Sequence, residues 1–237
     1  MGKEIAVLMA AGLGTRMRPI TDTIPKPLVK VKGTPMIETV IGGLRSRGIE
    51  EIYVVTGYLG EQFSYLTTKY PGLKTVENTQ YRTINNISSV KAVTDIIRGR
   101  DTFICEADLY IADPGVFATE LDASCYFGKY VSGHSDDWVF EQDDSGRITR
   151  VGKVGDDCYN MCGVAFFREK EATVIADAID DRYMHPGYED MFWDDVVNDN
   201  LEKLYLTVHP IKNDQITEID SVEELAAVDP GYLEMNK

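Results

Sequence analysis

The feature that most constrains this chain is a glycine-bearing turn placed straight after a short apolar run near its start. Ile5 to Met9 is apolar and of strand length, and Ala10, Ala11, Gly12 and Gly14 follow it. Side-chain bulk therefore disappears where the chain must turn and where a ligand can approach the backbone. Backbone N–H groups in such a loop point toward an anion. Thr15, Arg16, Arg18 and Lys26 add donors and positive charge on the same side, which makes the stretch a polyphosphate cradle. Its spacing is not the GxxxxGK[ST] of a P-loop, and Pro19 prevents the long regular helix that follows a GxGxxG dinucleotide turn. Kinase and dehydrogenase readings lose ground on those two counts.

The 237 residues suffice for one large α/β domain, and no flexible linker divides them, so residues 1–237 are expected to form a single domain. The apolar opening is too short to span a membrane and lacks a signal-peptide cleavage pattern, which predicts a cytoplasmic protein without membrane insertion. Asp and Glu number 39 against 24 Lys and Arg, a net charge of −15, which disfavours nucleic acid as a partner. Cys105, Cys125, Cys158 and Cys162 sit mostly within apolar runs, and His134, His185 and His209 match no zinc spacing, so buried thiols are expected.

Thr34-Pro35 reads as a helix start, and Met36, Ile37, Val40, Ile41 and Leu44 recur at helical spacing until Gly48. A strand at 49–56 completes a βαβ unit. The pattern repeats with a helix near 60–69, a strand at 74–77, a helix through 88–97 and a strand at 102–105. This predicts an α/β fold with a doubly wound, mostly parallel sheet. The second half reads as strands at 124–130, 138–142, 147–151 and 163–167, with Asp143 to Gly146 as a hairpin turn. A smaller antiparallel part is expected to cover one edge of the site. Helices at 169–180 and 189–204, strands at 205–211 and 216–219, and a capping box from Ser221 to Glu224 complete the chain.

Phosphoryl and nucleotidyl transfer commonly use Mg²⁺ held by one or two carboxylates. Asp108 stands just past a strand, on the side where ligands bind in open α/β sheets, and Glu106 arrives with it. Asp220 stands past a late strand, and Ser221 with Glu224 already caps the following helix, leaving the aspartate available. Read from the residues alone, each aspartate is as readily a plain helix-start residue as a metal ligand.

The order AAGLGTRMRP, six residues, PKPLVKV resembles the signature of the nucleoside-triphosphate transferases, which join an NTP to a phosphorylated small molecule and release pyrophosphate. The resemblance implies a Rossmann-like nucleotidyltransferase fold, Mg²⁺ at Asp108 and Asp220, and a catalytic set of Arg16 on the β- and γ-phosphates and Lys26 on the α-phosphate. Lys153 resembles the family's second lysine, which meets the acceptor's phosphate. The nucleotide is expected against Met9, Ala10, Gly12, Gly14 and Thr15, with Asn86 and Ser88 closing the other side.

Beyond the signature, Gly57-Tyr-Leu-Gly-Glu-Gln-Phe, Tyr81 through Asn85-Asn86, Asp137-Trp138, Phe192-Trp-Asp194 and Glu218-Ile-Asp-Ser221 resemble the small bacterial CTP:phosphocholine cytidylyltransferases over nearly the whole chain. That likeness implies cytidylyl transfer from CTP to phosphocholine, giving CDP-choline. It departs at Glu106, two residues before the metal aspartate, which bears on the cationic head group. A trimethylammonium donates no conventional N–H hydrogen bond, so aromatic faces and carboxylates must hold it. Trp138, Phe192, Trp193 and Asp190 offer both, and Asp190, Trp193 and Asp194 would share one face of a helix from Glu189. For the two tryptophans, ordinary core packing is the competing reading. Rival acceptors are 2-aminoethylphosphonate, phosphoethanolamine and sugar-1-phosphates. The rival from outside enzymes is a nucleotide-sensing binding module.

Overall fold

The computed structural model describes residues 4–232. In chain order its strands are β1 (Ile5–Ala10), β2 (Lys30–Val31), β3 (Thr34–Pro35), β4 (Glu51–Thr56), β5 (Leu73–Glu77), β6 (Thr102–Glu106), β7 (Leu109–Ile111), β8 (Ser124–Gln142), β9 (Ile148–Phe167), β10 (Leu206–Pro210) and β11 (Ile216–Glu218). Its α-helices are α1 (Met36–Ser46), α2 (Ser64–Lys69), α3 (Ile87–Lys91), α4 (Thr94–Ile97), α5 (Glu169–Arg182), α6 (Trp193–Asp199) and α7 (Val222–Val228).

Seven strands form one mixed sheet in the order β10-β8-β9-β6-β1-β4-β5. β1 is central and runs parallel to β4 and β6, β4 runs parallel to β5, and β9 joins β6 antiparallel. Side chains alternate across a strand. Accordingly Ala6, Leu8 and Ala10 pack with Ile37, Val40, Ile41 and Leu44 of α1, whereas Ile5 and Val7 pack with Val90 of α3, Ile97 of α4 and Ile175 and Ile179 of α5. Helices thus cover both faces, and a strand buried on both faces must be apolar throughout. This is the doubly wound α/β fold expected from the sequence.

Several element boundaries differ from expectation. The helix expected through 88–97 is two, because Val93 leaves helical geometry at φ −123° and buries its side chain in the core. The helix expected from Glu189 to Leu204 shortens to α6: Phe192 is extended, its N–H donating to the Asp195 carboxylate at 2.8 Å, and Asn200 ends the helix. Pro35 is the N-cap of α1 rather than its first turn, and Thr34 pairs with Val31. β7, which pairs antiparallel with β11, has no counterpart in the sequence reading.

The short strands expected in the second half merge into the long β8–β9 ribbon, closed at Asp143, whose side chain accepts from the Ser145 and Arg147 N–H groups. The ribbon also doubles back on itself. Val139 pairs with Gly152 on one side and Asn160 on the other, and Trp138 lies opposite Lys153. This antiparallel excursion overhangs the carboxyl end of the parallel strands. The four cysteines are free and buried. Among the described residues no helix is long and apolar enough to cross a membrane.

Candidate active site

A cavity of about 690 Å³ opens at the carboxyl ends of β1 and β6, where Met9 and Glu106 stand in register. Met9, Ala10, Gly12, Gly14 and Thr15 line it. Gly14 sits at φ +62°, and a Cβ there would come within 2.9 Å of the Lys26 Cβ and 3.1 Å of Thr21. Both backbone and space therefore demand glycine. Thr21 Oγ1 donates to the Gly14 carbonyl at 2.7 Å and ties the turn to the segment that delivers Lys26. At Gly12 a Cβ would meet no protein atom within 4 Å, so this backbone is open to the cavity.

Two acidic pairs converge on Lys26. β6 carries Glu106 with Asp108 just beyond it, and β11 carries Glu218 with Asp220 just beyond it. Pairing of β11 with β7, together with the Ile219 N–H donating to the Asp108 carbonyl at 3.3 Å, lays the pairs side by side. Lys26 is only 7% exposed, and its ammonium lies 2.5 Å from Asp108 Oδ2 and also donates to Asp220 Oδ1. Burial alone would lower its pKa, but the two aspartates prevail and hold it above the ordinary lysine value. Arg16 reaches Asp220 Oδ1 at 2.8 Å while its side chain stays 70% exposed, facing the cavity mouth. The capping box is formed by Ser221 and Glu224, and Asp220 contributes only its N–H there, so its carboxylate is free to face Lys26 and Arg16. Burial pushes the Glu218 carboxyl up to about 8, with Asp108 and Asp220 adding to the effect. Glu106 is also raised well above the ordinary carboxylate value, chiefly by burial and then by Glu218 and Asp108.

Across the cavity, Trp138 and Phe192 pack edge to face with ring centroids 5.3 Å apart. The Lys153 ammonium lies 5.8 Å from the Trp138 ring centre and 5.3 Å from that of Phe192. Asp136 and Asp137 border the same wall. Two candidates lie elsewhere. Asp190 is exposed in the turn before α6 and does not line the cavity. Trp193 is 3% exposed and stacks on Tyr126 in the core, so the shared helix face expected for Asp190, Trp193 and Asp194 does not exist. The reason is the late start of α6, which leaves Asp190 outside the helix. Asp194 does line the cavity, buried, accepting from the Tyr126 hydroxyl at 3.0 Å. Burial raises its carboxyl to about 7.

On the nucleotide side, Ser88 lines the cavity and accepts from the buried Asn78 side chain at 2.8 Å. Asn86 also lines it, but its side-chain oxygen accepts from the Trp193 N–H at 2.9 Å, while the Asn85 N–H donates to the Glu189 carbonyl at 2.7 Å. The two asparagines clasp the entry of α6.

Residues 5–123 match the nucleotidyl transferase family. The chain is 53% identical to the 2-aminoethylphosphonate cytidylyltransferase of Lancefieldella rimae, over 98% of this chain and 94% of that one. The chain belongs to the nucleotidyl transferase family. This nucleotidyl transferase is also 34% identical to the choline-phosphate cytidylyltransferase of Streptococcus pneumoniae, over 92% of its length and 94% of that protein. The solved CTP:phosphocholine cytidylyltransferase from Streptococcus pneumoniae superposes with a TM-score of 0.89 at 33% identity, covering 100% of both chains. The likeness to phosphocholine enzymes is thus present, and the identity to the phosphonate enzyme is higher.

Nucleotidyl transferases commonly use Mg²⁺, and the donor set here fits such an ion. Asp108 and Asp220 already share one cation, the Lys26 ammonium, so their oxygens reach a common point. A Mg²⁺ ion is commonly held by one or two carboxylates and completed by substrate phosphates and water. Asn78 and Glu218 line the cavity of this nucleotidyl transferase; Asn78 escaped the sequence reading, and Glu218 entered it only within the Glu218-Ile-Asp-Ser221 string, with no role in the site. For Glu218 a signal existed: it stands two before Asp220, as Glu106 stands two before Asp108, and alternate strand positions share a face.

Proposed function

We propose that this protein transfers the cytidylyl group of CTP to 2-aminoethylphosphonate and releases pyrophosphate. The observation that carries the reading is the 53% identity, over nearly the whole chain, to an enzyme of that name. The cavity's chemistry supports it. The Lys153 ammonium lies over the Trp138 and Phe192 rings, and the cavity's other partners for an acceptor's cation are acidic side chains: Glu106, Asp136, Asp137 and Asp194. Carboxylates accept the N–H bonds of a primary ammonium, which a trimethylammonium cannot donate. Phosphocholine remains the second reading, favoured by the aromatic pair itself and by the full-length likeness to the streptococcal enzyme.

In this mechanism an ionised phosphonate oxygen attacks the α-phosphorus of CTP in line. The new oxygen–phosphorus bond forms as the bond to the bridging oxygen of pyrophosphate breaks, and pyrophosphate leaves with the electron pair. The attacking oxygen needs no general base, and catalysis rests on positioning and electrostatics. Lys26 takes the α-phosphate, Arg16 the β- and γ-phosphates, and Lys153 the acceptor's phosphonate. The backbone from Met9 to Thr15 receives the nucleotide. Asp108 and Asp220 would hold Mg²⁺, which when bound supplies positive charge to the triphosphate.

A pyrophosphate-release screen tests the reading, with CTP, UTP, ATP and dTTP each offered 2-aminoethylphosphonate, phosphocholine, phosphoethanolamine and glucose-1-phosphate. The highest kcat/KM is expected for CTP with 2-aminoethylphosphonate. A preference for phosphocholine establishes the second reading, and turnover only of the sugar phosphate removes both.

A further inference from the structure

Lys153 is held from more sides than an exposed strand lysine requires. Its ammonium lies over two aromatic rings brought by different elements, Trp138 from β8 and Phe192 from the entry of α6. Its backbone is held as well: the Arg150 guanidinium donates to the Lys153 carbonyl at 3.2 Å and to that of Val154 at 2.6 Å, while Glu141 accepts from Arg150 at 2.6 Å. The clamp sits where the chain needs it. Val154 adopts φ +67°, a left-handed conformation costly for a β-branched residue, and the β8–β9 register shifts beside it. Phe192 is fixed in turn by the Asp195 carboxylate on its N–H, and the next residue's N–H by Asn86. An ammonium attracted to two ring faces loses rotamer freedom before any ligand arrives.

We infer that Trp138 and Phe192 are positioning residues: they form a shelf that presents the Lys153 ammonium to the acceptor's phosphonate, and they do not themselves bind the acceptor's cation. The inference rests on the reading of Lys153 as the residue that meets the acceptor. It makes the aromatic pair an anion-recognition device acting through a lysine.

The test compares 2-aminoethylphosphonate with ethylphosphonate, which keeps the phosphonate and lacks the amine. Trp138→Leu is expected to lower acceptor kcat/KM about tenfold, by the same factor for both acceptors, with the KM for CTP unchanged. Trp138→Phe should retain most of the activity, and in a Lys153→Ala background Trp138→Leu should add little further loss. A loss confined to the amine-bearing acceptor, or one that adds fully to Lys153→Ala, overturns the inference. If Trp138→Leu does not fold, Phe192→Leu takes its place with the same expected pattern. Should the wild type turn over neither phosphonate, the acceptor reading fails by itself, and the shelf is then read by NMR. The Lys153 side-chain methylenes, identified by their loss in Lys153→Ala, should be displaced by ring currents, and the displacement should shrink in Trp138→Leu, where only the Phe192 ring remains. Undisplaced methylenes in the wild type overturn the shelf.

Discussion

Lys26 Nζ lies 2.5 Å from Asp108 Oδ2 and bonds Asp220 with the same ammonium, so a residue of the opening signature occupies the point where two distant strand ends meet. One buried cation there offsets two carboxylates and leaves Lys26 charged at any physiological pH. The arrangement makes the charge balance of the site sensitive to each of the three residues.

If Asp108 and Asp220 hold Mg²⁺ as proposed, Asp108→Asn and Asp220→Asn should each lower turnover at least about a hundredfold, since a lost metal ligand removes several kcal/mol of transition-state stabilisation and each ~1.4 kcal/mol is tenfold. Circular dichroism should show the fold intact. Turnover that persists undiminished in excess EDTA would remove the metal from the mechanism.

Lys26→Met should reduce turnover and weaken CTP binding while leaving the ranking of acceptors as it was. Arg16→Met should weaken CTP binding less, because the Arg16 side chain is 70% exposed and a solvated cation interacts less strongly than a buried one. Steady-state kinetics with CTP varied at saturating acceptor measures both, and a Lys26→Met enzyme with normal CTP constants would move the cradle elsewhere.

Asp194 gives a pH dependence of stability with a definite sign. Its folded carboxyl titrates near 7, above the ordinary value of an aspartate, because burial disfavours the anion. Between the unfolded and folded values the folded state binds the extra proton, so this residue's contribution to stability falls as pH rises from about 4 to about 7. Asp194→Asn keeps an acceptor for the Tyr126 hydroxyl and should flatten that part of the melting-temperature profile. An Asp194→Asn protein whose profile parallels the wild type over this range contradicts the assignment.

Gly43 of α1 faces Phe117, and a Cβ on it would lie 2.5 Å and 2.7 Å from ring carbons. That ring packs against Phe103 and Phe127 at 5.9 Å and 6.0 Å, so it has little room to give. Gly43→Ala is expected to destabilise by about 1–3 kcal/mol through overpacking, measured by urea denaturation. Gly42→Ala is the control, since a Cβ there meets nothing within 4 Å and alanine favours the helix.

What the sequence determined by itself is the local physics. An apolar run that must be buried on both faces, a turn that only glycine can make at Gly14, and a Ser221–Glu224 cap that frees Asp220 are all properties of neighbouring residues, legible in the string. The doubly wound sheet followed from alternating periodicities, and the family resemblance from the order of one motif. Tertiary structure alone decided what distant segments do to one another. Glu218 joined Glu106, Asp108 and Asp220 only because β11 pairs with β7, a strand too short to carry a periodic signal. Trp193 went into the core because α6 begins at an extended Phe192, set by a side chain three residues on and by Asn86 more than a hundred residues back in the chain, whereas Trp138 reached the cavity wall on the folded-back β8–β9 ribbon. A cation over two rings, as Lys153 lies over Trp138 and Phe192, depends on a ribbon that folds back on itself. Such contacts arise from long-range packing, whose energies are shared among residues with no fixed spacing between them, and no window of sequence contains them.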